Sequence, residues 1–397
     1  MEINEAKEKL LNSISKLELD EEEVSITDAI GKISAEDVVA KVNVPSFPKS
    51  AMDGYAVCSR DTQGASKDNP VKLTVIEKLF AGETSKAVFE NNSAVRVMTG
   101  SLIPEGYDAV VMQEDTDYGE QDVLIKKEIK SFTNYCKVGE DIKIGETFIR
   151  KNDVINRTNL GTLASLGISK VKVYSNPKVG IISTGTELAL LDEELKEGKI
   201  YSSISYMLKA QLESYGIEAK ICVCPDEKNE IKEKLLTFLN EYDLIITTGG
   251  VSVGEKDLMP DVLKDIDAGI VFSRVNIKPG TPTMGSVKDG KIILSLSGNP
   301  FAALANFDYY FWDVLAKVTG NNNYKSNIVK AALANDYEKL EKTKRLLRAK
   351  LDNGKAYLEK VNSSSVISNM SDCNCYVFID ENKAYKAGDE VKVLMMK

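Results

Sequence analysis

Histidine is absent from the 397 residues. That removes the commonest general base and the commonest side-chain ligand for zinc. Ser–His and Cys–His catalysis are argued against, and any metal must be held by oxygen, which favours a hard cation such as magnesium. Cysteine is sparse, at 58, 136, 222, 224, 373 and 375. The close pairs are C-x-C, neither a dense disulfide framework nor the spacing of a zinc site, so reduced, structural thiols are expected. No apolar run reaches the roughly 18–20 residues of a membrane span. The start, MEINEAKEKLLNSISKLEL, lacks the pattern of a signal peptide, so a cytoplasmic location is expected and no membrane partner. Positive charge is in deficit: 51 Lys and Arg against 60 Asp and Glu, a net charge of −9. That disfavours nucleic acid as a partner. A small anion would need a local basic or helix-terminal site.

What is present points to several domains, because 397 residues exceed one ordinary core. Ile3, Ala6, Leu10, Ile14 and Leu17 fall at helical spacing within residues 1–19. A short helix at 26–29 ends at Gly31. Residues 47–135 run in short apolar stretches separated by turn signals and read as a β-rich domain. The chain then returns to the first unit, with a helix in TNLGTLASLGIS closed by Gly167. The segment 177–322 alternates strand-like and helical runs, the pattern of βαβ units on a parallel sheet. Residues 323–397 are again short and β-like. The expected fold class is thus α/β and β multidomain. Its parts are 1–46 plus 136–176, an inserted 47–135, 177–322 and 323–397.

Chemistry concentrates where apolar strands of the α/β segment run into glycine loops, ISTGTEL and TTGGVSVGEKD. Ligands of open parallel sheets bind beyond the carboxyl ends of strands, and glycines there let backbone N–H groups approach an anion. Ser183, Thr184, Thr248 and Ser252 add hydroxyls, and Gly185, Gly249 and Gly250 give the backbone access. The carboxylates of Glu187, Asp226 and Asp257 suit a divalent cation bridging to an anionic ligand. Lys278 in IKPGTPTMG supplies a point charge. In LSGNPFAAL, Gly298 precedes Asn299, an N-cap, and Pro300, a first-turn proline. These loops also read as tight turns with solvated acids and a solvated lysine, and spacing leaves both readings open. In the first half, SAMDGYAV, VRVMTG and VGEDI each carry acids or a threonine beside glycine, weakly informative alone.

Taken together, PSFPKSAMDGYAV, AVRVMTGSLIPEGYDAVVMQED, GEDI, ISTGTEL, TTGGVSVGEKD, IKPG and SGNP occur in that order along nearly the whole chain. The series resembles the molybdopterin molybdenumtransferases, the MoeA and gephyrin E-domain family. The resemblance implies an elongated molecule: a discontinuous N-terminal domain, a β-rich insertion, a doubly wound MogA-like α/β domain and a C-terminal β-barrel-like domain. It implies a homodimer with its site between the α/β domain of one subunit and the β-rich region of the other. It implies transfer of molybdate into adenylylated molybdopterin, giving molybdenum cofactor and AMP, with Mg2+ as cofactor. The adenylyltransferase and apo-molybdoenzymes are the implied protein partners.

By motif, the resemblance assigns Asp53, Thr99, Asp141, Glu187 and Lys278 to catalysis and Asp226 and Asp257 to the metal. It places Ser252, Arg274 and Pro282 at the anion-binding site, and the loop reading adds Thr184, Gly185, Thr248, Gly249, Gly250, Gly298 and Asn299 as binding residues. The chain departs from the family pattern at Thr281, where a second lysine is common, at Thr186 for aspartate and at Ala302 for serine. Cys136 stands where arginines are frequent. The implied anion pocket is therefore less basic and less hydroxylated. Two rival readings are a molybdopterin adenylyltransferase, distinguished by pyrophosphate release from ATP, and a non-enzymatic dimeric scaffold, distinguished by a stable peptide partner.

Overall fold

The computed structural model describes residues 1–252 and 257–397. They form two compact units: residues 23–173, and residues 1–22 together with 174–397.

In the first of these, the strands Ala109–Met112, Gly54–Val57, Ser93–Val97, Val71–Leu79 and Asp122–Ile125 lie side by side in that order. Both faces are covered, because successive side chains point to opposite sides of a strand. Tyr55, Val57, Ala94 and Val111 pack on one face. Ala56, Val95, Val97 and Val110 pack on the other. A smaller core gathers Ala29, Val38, Ile149, Ile155, Leu163, Val171 and Val173 around the helix Arg157–Ser165. That helix is capped by Asn156, whose side chain accepts from the backbone of Thr158 and Asn159. The short helix expected at 26–29 is a 3₁₀ turn, Ile26–Asp28, followed by Gly31 at φ 81°.

The second unit holds a six-stranded sheet. Its order is Ala219–Cys224, Val179–Thr184, Leu244–Thr248, Lys291–Leu296, Met284–Lys288 and Gly269–Phe272. The first four are parallel. Met284–Lys288 runs antiparallel to both of its neighbours, so the sheet expected to be parallel is mixed at this edge. The cause is local. Asp289 and Gly290 both take positive φ, 50° and 78°, and make the two-residue hairpin that such residues favour. The doubly wound arrangement is visible in the alternation of buried side chains. Ile181, Leu244, Ile246, Ile292 and Leu294 face the helices Ile3–Asn12, Ile204–Glu213 and Pro300–Thr319. Ile182, Ile245 and Ile293 face Lys228–Glu241 and Met259–Asp265. Continuous apolar runs such as LIITT follow from burial on both faces.

The N-terminal helix therefore packs on this core through Ile3, Ala6 and Leu10, and its place is not with residues 23–46 as its position in sequence suggests. The strands Ile328–Leu333, Lys355–Leu358, Arg345–Asp352, Cys375–Ile379 and Glu390–Met395 close into a small barrel in the order given. Leu333, Leu347, Ala349, Val377 and Val393 fill it. All six cysteines are free thiols. Among the described residues, no helix is long and apolar enough to cross a membrane.

Candidate active site

The parallel register brings several loops to one rim. Thr184 lies opposite Cys224, Ser183 opposite Thr248, and Thr248 opposite Leu296, so these strands end together. Beyond their carboxyl ends lies a cavity of about 750 Å³. Of the sequence-based candidates, Thr184, Gly185, Glu187, Asp226, Thr248, Gly249, Gly250, Ser252, Asp257, Lys278, Pro282, Gly298 and Asn299 all line it. Residues 253–256, the middle of TTGGVSVGEKD, lie outside the described residues.

The rim is held by polar contacts. Thr248 Oγ1 donates to Ser183 Oγ at 3.0 Å, and Gly249 N donates to the Leu296 carbonyl at 3.1 Å. Gly249 has no room for a side chain: φ is 91°, and a Cβ would stand 2.3 Å from the Thr184 carbonyl oxygen. At Gly185 a Cβ would meet the Glu187 carboxylate at 2.7 Å, so the glycine lets that acid fold against the backbone. Thr186 grips Asp226: its N–H donates to Asp226 Oδ2 at 3.0 Å, and its hydroxyl accepts from Asp226 N at 3.2 Å.

The Lys278 loop is fastened to the barrel. Lys278 N donates to the Lys344 carbonyl at 2.9 Å, and Leu346 N donates to the Lys278 carbonyl at 2.8 Å. Asn306 Nδ2, on the long helix, donates to the Pro279 carbonyl at 3.1 Å. Thr281 turns its hydroxyl onto its own loop, donating to Ile277 O at 2.7 Å. Pro300 is the first helical residue and Asn299 the N-cap of Pro300–Thr319, although the Asn299 side chain makes no capping bond.

Arg274 does not line the cavity. It is exposed, and its carbonyl accepts from the Met1 amine at 3.4 Å. The arginine on the cavity wall is Arg345, which donates to Glu341 Oε1 at 3.0 Å. Its backbone is paired with Lys278 in an isolated bridge, which explains its place. Arg345 was missed because RLLRAKLD reads only as a strand. Also missed were Ser202 and Ser203 at the start of Ile204–Glu213, and Asn362, Ser363 and Ser364 from the barrel. Fully buried Arg348 shapes that last loop, donating to the carbonyls of Val361 at 2.7 Å and Ser363 at 3.0 Å.

The remaining candidates belong to residues 23–173. Asp53 and Thr99 meet: Asp53 Oδ1 accepts from Thr99 N and from Thr99 Oγ1, each at 2.7 Å. These two donors, the backbone one first, hold the Asp53 carboxyl below its ordinary value. Asp141 is exposed on a turn and donates its N–H to Val44 O at 3.0 Å.

The cavity's donor set tests the magnesium expectation. Among the described residues, no thiol, thioether or imidazole lines the cavity beside its carboxylates, as suits a hard cation. Among the described residues, no three acidic or thiol side chains cluster tightly enough to cage a metal alone. Two carboxylates with the rest of the shell from water and ligand oxygens is the arrangement magnesium commonly takes at phosphate sites, so the residues fit.

Three family models match: the MoeA N-terminal region (domain I and II) over 1–167, a probable molybdopterin binding domain over 180–317, and the MoeA C-terminal region (domain IV) over 330–396. The molybdopterin molybdenumtransferase of Staphylococcus epidermidis is 37% identical over 378 residues, covering 94% of this chain and 90% of that protein. Its counterpart in Staphylococcus aureus is 34% identical over 380 residues, with the same coverage. The crystal structure of the molybdopterin biosynthesis moeA protein from Pyrococcus horikoshii OT3 matches with a TM-score of 0.84 at 34% identity, covering 100% of this chain and 99% of that one.

Proposed function

The chain belongs to the molybdopterin molybdenumtransferase family, and from that premise we propose that its cavity takes adenylylated molybdopterin and molybdate and yields molybdenum cofactor and AMP. It is a transferase of molybdenum-cofactor biosynthesis. The observation that carries the reading is the cavity wall itself, where hydroxyl and glycine loops, three carboxylates, Lys278 and Arg345 converge on one rim.

Both substrates are anions. Molybdate is a tetrahedral dianion, and Lys278 offers it positive charge on the cavity wall, next to Arg345, whose guanidinium is already paired with Glu341. The backbone N–H groups and hydroxyls of the Thr184 and Thr248 loops suit the nucleotide's phosphates. Asp226 and Asp257 would hold magnesium, which supplies charge neutralisation and polarises the bond to be cleaved. With no histidine in the chain, positioning and fixed electrostatics carry more of the catalysis than side-chain proton transfer. A homodimer forms part of the reading, and mass measurement in solution checks it.

Reconstitution tests the assignment. Purified protein, adenylylated molybdopterin, magnesium and molybdate should yield AMP and active cofactor together. Pyrophosphate release from ATP and molybdopterin would instead indicate an adenylyltransferase. That alternative is disfavoured, because the relatives matched over 94% of this chain are molybdenumtransferases.

A further inference from the structure

Thr186 occupies an unusual position for a surface loop threonine. Its hydroxyl accepts the Asp226 N–H at 3.2 Å. Having taken that proton donor, the hydroxyl directs its own hydrogen to Asp226 Oδ2, 3.4 Å away. The Thr186 N–H reaches the same oxygen at 3.0 Å. Oδ2 therefore receives two donors from one residue. Among the described residues, none donates to Oδ1, and Asp226 lines the cavity.

The Thr186 loop is itself anchored. Lys199 Nζ donates to the Thr186 carbonyl. Leu188 N donates to Gly185 O at 3.1 Å, and Ile200 N donates to Glu187 O at 2.8 Å. The clamp on Asp226 is thus carried by a loop closed at both ends.

We propose that Thr186 is a positioning residue that restricts Asp226 to one-oxygen coordination through Oδ1, and so biases the site toward a small octahedral cation, Mg2+, over Ca2+. The inference rests on the reading of Asp226 as a magnesium ligand. Its chemistry is steric and directional. Magnesium demands near-octahedral geometry at about 2.0–2.1 Å and takes one oxygen per carboxylate in such sites. Calcium accepts about six to eight oxygens and readily uses both oxygens of a carboxylate. An Oδ2 already holding two hydrogen bonds must give them up before it can turn to a cation. Magnesium asks for no such exchange.

The test is a Mn2+ titration of the full-length chain followed by electron paramagnetic resonance, with Mg2+ and Ca2+ as competitors. The readout is the ratio of the two competition constants, which needs no substrate and no turnover. Thr186→Val keeps the shape and the backbone donor but removes the hydroxyl, and Thr186→Ser restores it. The wild type should favour Mg2+ over Ca2+. Thr186→Val should reduce that preference by about tenfold, the usual size of an effect on a ligand-orienting partner. Thr186→Ser should keep the wild-type ratio. Loss of Mg2+ and Ca2+ binding alike in Thr186→Val overturns the inference, because freeing Oδ2 should leave calcium binding intact. An unchanged ratio in Thr186→Val, or an equal shift in Thr186→Ser, overturns the inference. Asp226→Asn separates the two levels: wild-type Mn2+ binding in that variant refutes the metal assignment of Asp226 itself, and the role of Thr186 falls with it.

Discussion

Thr99 gives Asp53 two hydrogen bonds on a single oxygen, and that pair sets the acid's ionisation. Replacing Thr99 with valine removes the hydroxyl and leaves the backbone donor. The Asp53 carboxyl should then rise toward its ordinary value, because one group favouring the charged form is gone. If ionised Asp53 is needed for turnover, the acid limb of the pH–rate profile moves to higher pH, and Thr99→Ser returns it. An unmoved limb would separate Thr99 from Asp53. Lys278 is held differently, through its backbone on both sides, so its side chain can be changed without loosening the loop. Lys278→Met should raise the KM for molybdate by tenfold or more while the melting temperature changes little, which steady-state kinetics and calorimetry check together. At this scale the sequence was legible where chemistry follows directly from a glycine loop at a strand end. It was not legible at Arg345. An arginine inside a strand announces nothing, and only its pairing with Lys278 carries it to the cavity.

Among the elements, the helix Pro300–Thr319 ties the sheet to the barrel. Its Asp308 is buried and accepts from Trp312 Nε1 at 3.0 Å, Gln211 Nε2 at 2.8 Å and Tyr376 OH at 3.0 Å. Burial dominates these donors and pushes the carboxyl from 3.8 up to about 6. A carboxyl raised in the folded state costs stability as pH climbs through that interval, because folding must then expel its proton or bury its charge. The loss is on the order of 3 kcal/mol above pH 6. Asp308→Asn should remove this dependence, so its melting temperature relative to wild type should rise between pH 4 and 7. A constant difference across that range would contradict the account. Gly249 makes a second element-level prediction. Gly249→Ala forces a side chain into a left-handed turn against the Thr184 carbonyl and should cost at least about 1–3 kcal/mol in denaturant unfolding. Most strands and helices of the α/β part were readable from periodicity. The exception is the antiparallel hairpin at Asp289 and Gly290, whose Asp-Gly pair is a turn signal that the surrounding βαβ rhythm masks.

For the whole molecule, sequence order misled about the N-terminal helix. Its apolar stripe is plain, but a stripe does not name its partner, and the partner is a core formed by residues far along the chain. The succession of β-rich, α/β and β segments was readable because the hydrophobic period changes between them. Closure of the last five strands into a barrel was legible only through the family resemblance, since in the strand pattern alone closure depends on which edges meet. The function stands on the convergence of loops from distant parts of one unit. Its most direct test is AMP release by Asp257→Asn, measured in a single turnover with adenylylated molybdopterin, magnesium and molybdate. The wild type should release one AMP for each active cofactor formed, and the variant, still folded, should release none. AMP release at the wild-type rate from Asp257→Asn would contradict the proposed site.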